Sequence, residues 1–119
     1  MKIVLPWPDK RLSPNSRGHW AGLHRAKKKA RWDAAFATHE AMNGQAPVYR
    51  ASLEGEDPIV IQVHFYPPDR SHRDDDNMVA SFKSLRDGIA DALGVNDRRF
   101  SPRYTFNEPC KPGRVEVEL

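Results

Sequence analysis

The feature that most limits how this chain can fold is the segment "PIVIQVHFYP" at residues 58–67. Apolar side chains occur at every second position, which is the period of a β-strand with one buried face. This is the strongest strand prediction in the sequence, and Pro67 and Pro68 end it. The side chains predicted to face inward are Ile59, Ile61, Val63 and Phe65, and those predicted to face outward are Gln62, His64 and Tyr66.

Helices are predicted on both sides of this strand. Apolar residues recur at steps of three and four over residues 20–42, where Asn43-Gly44 ends the pattern, and again over residues 77–93, where Gly94 ends it. Further strands are expected at "KIVL" near the N-terminus and at "RYTF" and "RVEVEL" near the C-terminus. Residues 1–119 are therefore predicted to form one domain of mixed α/β (α+β) fold, with two main helices and a mixed sheet of about four strands.

Composition indicates the cellular setting. Cys110 is the only cysteine, so it cannot form an internal disulfide. No apolar run approaches the ~20 residues needed to cross a bilayer. The start "MKIVLPWPDK" lacks a signal-peptide core, because its apolar run stops at Pro6. We therefore expect a cytoplasmic protein with no membrane partner.

Charge is distributed unevenly along the chain. Residues 1–32 contain nine Lys and Arg against one acid, whereas residues 33–119 contain ten against fifteen. A basic segment that contacts phosphates, combined with an acidic site that binds a cation, is expected of enzymes acting on nucleic acid. The alternative is an ordinary solvated, lysine-rich helix face.

Two tryptophans lie within the basic helix. Trp20 and Trp32 could stack on bases, but large aromatic side chains are more often packed in a core. We therefore expect both to pack inside the fold.

The segment "RSHRDDDNM" at residues 70–78 places three consecutive carboxylates between the strongest strand and the second helix. Adjacent carboxylates repel one another, so the cluster is either fully solvated or binds a cation. Asp76 or Asn77 is expected to cap the helix, which accounts for one acidic residue but not for three. In extended backbone, Asp74 and Asp76 could project toward one Mg²⁺ ion, leaving Asp75 outside the ligand set. A calcium-binding EF-hand loop is excluded, because Val79 stands where its sixth-position glycine would be.

Two later residues complete this candidate site. Asp97 could supply a third oxygen ligand to the metal. Lys83 follows Asp76 by seven residues, or about two helical turns, and could reach a phosphate held at the start of the helix. Lys83 could equally be an ordinary solvated lysine.

Several motifs, taken together, resemble the RusA-type Holliday-junction resolvases across nearly the whole chain. They are "LPWPDKRLSPNSRGHW" followed by a basic helix, then "PPDRSHRDDDN", "KSLRDGIADALGVND" and a closing "GRVEVEL". The resemblance implies a homodimeric, Mg²⁺-dependent endonuclease, in which Mn²⁺ can replace Mg²⁺. Such an enzyme binds four-way DNA junctions and nicks two strands symmetrically, leaving 5′-phosphate and 3′-hydroxyl ends.

The resemblance also assigns the catalytic residues. It implies that Asp74, Asp76 and Asp97 bind the metal and that Lys83 is the essential lysine. In the best-known members this lysine follows the second acid by four residues, a position that is Ala80 here, so Lys83 matches a branch with longer spacing. The basic residues expected to contact DNA are Arg17, Arg25, Lys27, Lys28, Lys29, Arg70 and Arg73.

Two alternatives remain open at this point. A less selective metal-dependent nuclease would use the same acidic residues and would cut linear duplex as fast as junctions. A noncatalytic junction-binding protein would bind without nicking, and the displaced lysine favours it.

Overall fold

A computed structural model describes residues 1–14, 16 and 19–119. Its sheet has four strands, β1 (Lys2–Pro6), β2 (Ile59–Tyr66), β3 (Phe100–Phe106) and β4 (Arg114–Glu118), in the order β1-β4-β2-β3. β4 pairs antiparallel with β1 and β2, whereas β2 pairs parallel with β3. The predicted mixed fold is confirmed. β3 begins three residues before the predicted "RYTF", and its Pro102 is tolerated because β3 is an edge strand.

The predicted inward face of β2 is also confirmed. Ile61, Val63 and Phe65 are fully buried, and Ile59 nearly so. Phe65 contacts the ring of Phe82 edge-to-face, with ring centroids 6.2 Å apart. β2 thus carries the centre of the core.

Helix α1 (Trp20–Met42) has the predicted bounds, and Asn43 ends it in the left-handed conformation with φ 49°. The expectation that its tryptophans pack inside is wrong, because Trp20 and Trp32 are each 75% exposed. Trp32 precedes the buried Ala34 by two residues, which places it about 200° around the helix. Spacing from the alanines therefore decides the exposure of Trp32 despite its size.

A short helix, α2 (Ala46–Ser52), was not predicted from the sequence. It has seven residues and none of them is buried, so it lacks the apolar period that identifies longer helices. Pro47 in its first turn is the one sequence signal, since proline favours that position.

The second predicted helix is divided in two. Helix α3 (Asp75–Ser81) begins two residues before the expected start, and α4 (Lys83–Leu93) follows after Phe82. The Phe82 amide N–H donates to both Met78 O and Val79 O at 3.2 Å, so the last turn of α3 tightens there. Gly94 ends α4 with φ 69°, as predicted. No helix in the described residues is both long enough and apolar enough to span a membrane.

Helices α1 and α4 pack closely at a glycine. A Cβ atom on Gly88 would lie 2.1 Å from Arg31 O and 2.8 Å from the Cβ of Ala34, so only glycine fits. Arg31 also makes a two-point ion pair with Asp91, with Nε–Oδ2 at 2.6 Å and Nη2–Oδ1 at 2.8 Å. The close approach fixes α4, and with it the residue that begins it, Lys83.

Gly88→Ala is therefore expected to lower the free energy of unfolding by about 1–3 kcal/mol or more, as overpacked cores do. Gly22→Ala is the matched control within α1, because its Cβ would meet only the Arg11 side chain, at 3.8 Å or beyond. In that control the free energy of unfolding should rise by roughly 0.5–1 kcal/mol, because alanine favours the helical conformation more than glycine does. Urea denaturation measures both, and equal midpoints for the two variants would contradict the close packing.

Candidate active site

The acidic cluster lies at the start of α3. Asp74 has extended backbone angles, and its Oδ1 accepts a hydrogen bond from the backbone N–H of Asp76 at 3.1 Å. The expectation that Asp76 or Asn77 caps the helix is therefore wrong, because Asp74 is the cap. Any of the three acids can supply a capping oxygen, and a cap at Asp74 puts Asp75 and Asp76 in the first turn, where the helix dipole favours negative charge.

This placement changes the geometry expected for the metal ligands. Only Asp74 is extended, whereas Asp75 and Asp76 are helical, so the extended backbone predicted across the three residues is wrong. The side chains of Asp75 and Asp76 are exposed, and within the described residues neither carboxylate forms an ion pair or hydrogen bond. The N-terminal end of the α3 dipole partly offsets their charge.

Lys83 and Asp97 lie close together although fourteen positions separate them. Lys83 Nζ is 3.6 Å from Asp97 Oδ2 and 3.3 Å from Asp87 Oδ1. Lys83 begins α4, and Asp97 begins a short 3₁₀ turn that leads into β3. The fold thus brings Lys83 and Asp97, two of the four predicted catalytic residues, into contact.

Two neighbouring clefts run beside α3. The first, of about 800 Å³, is lined by Asp74 and Asn77 together with Trp7, Lys10 and His72. The second, of about 360 Å³, is lined by Lys27, Ala80, Lys83 and Asp87. The clefts share Ser13 and Ser81 in their walls, so they adjoin along α3.

The predicted metal ligands do not all line one cleft. Asp74 lines the first cleft, and Asp76 and Asp97 line neither of the two. Across the ranges that the structure describes, no group of three His, Cys, Asp or Glu side chains is arranged so as to hold a metal ion.

Comparison with known proteins gives a family without a described activity. No protein-family model matches the chain. The chain is 50% identical over 118 residues to an uncharacterized protein of Xylella fastidiosa (strain Temecula1), and the match spans 98% of this chain and 74% of that protein.

The chain belongs to the family of that Xylella protein. Membership gives no activity, since the Xylella protein is described only as uncharacterized.

One further residue at the site was missed by the sequence reasoning. Arg86 Nη2 lies 3.5 Å from Asp97 Oδ2, and Arg86 Nε is buried without a hydrogen-bond acceptor in the described part of the chain. Arg86 also lies near Tyr104. Burial raises the pKa of the Tyr104 hydroxyl, and the positive charge of Arg86 offsets part of that rise. Its position three residues after Lys83, on the same helix face, was the available signal.

The predicted DNA-binding residues divide into paired and unpaired groups. Lys29 pairs with Asp33, and Arg70 Nη1 lies 3.4 Å from Glu108 Oε2. Those that form no ion pair within the described residues are Arg25, Lys27 and Lys28. Arg17 lies outside the described residues.

Arg73 is held away from the three acids that follow it. Its Nη1 lies 3.0 Å from Asp69 Oδ1, and its guanidinium carbon is 5.4 Å from the centre of the Trp7 ring. The backbone N–H of Ser71 donates to Asp69 Oδ1 at 2.9 Å and, with smaller contributions from hydrogen bonds of the Ser71 and Arg73 side chains, lowers the pKa of Asp69 to about 2. Asp69 therefore keeps its charge, and Arg73 forms no ion pair with the acidic cluster, which has no ion-pair partner among the residues that the structure describes.

Proposed function

We propose that this protein is a Mg²⁺-dependent endonuclease that resolves four-way DNA junctions by paired nicks, as RusA-type resolvases do. The observation that carries the proposal is the contact between Lys83 and Asp97, 3.6 Å apart, two residues to which the resemblance assigns catalytic roles. The exposed carboxylates at the start of α3, which form no ion pair with the described residues, support it, because such charge favours a bound cation.

The donor chemistry of the three acids suits the metal, because Mg²⁺ prefers carboxylate oxygens. Asp74, Asp76 and Asp97 would hold Mg²⁺, or Mn²⁺ in its place. Asp74 retains Oδ2 after capping α3 with Oδ1. When bound, the ion would lower the pKa of a water so that it can attack the phosphodiester.

Lys83 is proposed to stabilise negative charge that develops on the phosphate during attack. Its side chain is 61% exposed, so a phosphate can approach the ammonium. Arg86 is proposed to hold the Asp97 carboxylate in place, because Arg86 Nη2 lies 3.5 Å from Asp97 Oδ2.

Two copies of the chain would supply the two sites needed for paired nicks. A homodimer in the cytoplasm is therefore part of the proposal. The mass of the free protein and of its junction complex, measured by light scattering, tests the dimer.

The proposal as a whole is tested by comparing a four-way junction with a linear duplex of the same sequence, each incubated with Mg²⁺. Symmetric nicks in the junction with 5′-phosphate ends support a resolvase. Equal cutting of both substrates would instead identify a less selective nuclease. Junction binding without nicking would support the noncatalytic alternative, which Ala80 in place of the usual lysine favours.

The basic face of α1 is proposed to contact DNA phosphates. Replacing Lys27 and Lys28 together by glutamine should weaken junction binding. It should also make the plot of log binding constant against log salt concentration less steep by up to ~2 units, since each phosphate contact contributes a slope of ~0.9. Binding titrations at several salt concentrations measure the slope.

Lys29→Gln is the control, because Lys29 is already paired with Asp33. We expect this variant to change the slope less than either unpaired lysine does. An unchanged slope in the double variant would identify this face as merely solvated.

A further inference from the structure

The two exposed tryptophans of α1 differ in their surroundings. The ring of Trp20 stacks on that of His24, with centroids 5.6 Å apart and planes 11° from parallel. Trp32 has no ring contact within the described residues, although it is equally exposed. Trp20 and His24 therefore form a stacked aromatic pair in which the Trp20 ring is largely exposed, and we call this pair the Trp20–His24 platform.

The platform lies beside the second cleft. Leu23 and Lys27 line that cleft, and they follow Trp20 by three and seven residues, so all three share one face of α1. Lys83 lines the same cleft. Trp32, by contrast, lies about 120° around the helix from Trp20. Only one of the two tryptophans therefore adjoins the candidate site.

The charge around the platform indicates what it binds. Lys27 and Lys28 follow Trp20 by seven and eight residues, which places them about 20° and 80° around the helix from it, and in the described ranges neither is neutralised by an acid. Aromatic side chains set among unpaired cations are the arrangement that binds single-stranded nucleic acid, where bases stack on rings and phosphates contact the cations.

We propose that the Trp20–His24 platform stacks on an unpaired base of a nucleic acid strand bound along the second cleft. The inference rests on the proposed function in taking DNA as the ligand. At a four-way junction the unpaired base would come from the branch point, where continuous stacking is interrupted and the terminal base pairs open more easily. A protein partner fits this surface less well, because the cores of protein interfaces are depleted in lysine.

The test compares Trp20→Ala with Trp32→Ala, its matched control on the same helix with the same exposure. The probes are a fluorescein-labelled oligothymidylate and a four-way junction with two unpaired thymines at the branch point. Trp20→Ala should bind the oligothymidylate roughly 5-fold or more weakly, as the loss of one base stack predicts, and Trp32→Ala less than 2-fold. Tryptophan fluorescence quenching on binding should persist in Trp32→Ala and diminish in Trp20→Ala.

Trp20→Phe should recover part of the lost affinity, because phenylalanine still offers a ring face, whereas a purely electrostatic surface would give no such rescue. Equal affinities of Trp20→Ala and Trp32→Ala would overturn the inference. So would a dimer-to-monomer change in Trp20→Ala alone, which would make the platform a contact between two copies of the chain.

The outcomes also separate this inference from the nuclease proposal. If the wild-type protein nicks no junction but Trp20→Ala still loses oligothymidylate binding, the platform stands and the nuclease proposal fails. If junctions are nicked and both tryptophan variants bind equally, the nuclease proposal stands and the platform fails.

Discussion

Asp76→Asn is expected to lower the rate of junction nicking at least ~100-fold, the loss typical of removing a key electrostatic group from a catalytic site. The change removes one negative charge from the start of α3 and keeps the shape of the side chain. Asp76 does not supply the helix cap, since it donates only its backbone N–H to Asp74. Folding and junction binding should therefore survive. Nicking rates in Mg²⁺ and junction affinity in Ca²⁺ measure the two effects.

Asp75→Asn is the matched control, because Asp75 is also exposed in the same helical turn and is outside the proposed ligand set. It should retain most of the activity. Asp74→Asn separates the two roles of Asp74: asparagine caps a helix as well as aspartate, so stability should hold while activity falls. Wild-type nicking by Asp76→Asn would mean that this carboxylate is not a metal ligand.

The parts of the fold predicted correctly are those that local periodicity determines. The alternation along β2 and the alanine spacing along α1 each extend over enough residues to identify the element and its buried face. α2 was missed because a helix of seven residues, none of them fully buried, is too short to show such a period. The division at Phe82 was missed because it depends on a hydrogen bond shared between two carbonyls, which side-chain spacing does not reveal.

The site was only partly predictable for a related reason. The acidic cluster is visible in the sequence, but which aspartate caps α3 depends on where the helix begins, and helix ends are weakly determined by sequence. The approach of Lys83 to Asp97 depends on how the chain returns toward β3 after Gly94. The exposure of Trp32 was misjudged because the size of the residue type was weighed above its position on α1, about 200° around the helix from the buried Ala34.

Lys83→Ala is expected to abolish nicking while leaving stability and Mn²⁺ affinity nearly intact. Its ammonium forms exposed ion pairs with Asp87 and Asp97, which typically contribute ~0–1 kcal/mol to stability. Arg86 remains beside Asp97 in the variant, so that carboxylate keeps a cationic neighbour. Lys2→Ala is the control: Lys2 is also exposed and also ion-paired, 3.3 Å from Glu116, but lies on β1. It should cut junctions at the wild-type rate.

Ala80→Lys in the Lys83→Ala background is expected to restore part of the nicking rate. Positions 80 and 83 line the same cleft about one helical turn apart, and Ala80 is exposed, so a lysine there can extend without disturbing the core. Position 80 also matches the place of the lysine in the best-known RusA-type resolvases. Rescue would show that one ammonium along this face of α3 and α4 suffices for catalysis. Full activity of Lys83→Ala by itself would remove Lys83 from the site, whereas an inactive single variant without rescue would make the position of the ammonium next to Asp97 the decisive requirement.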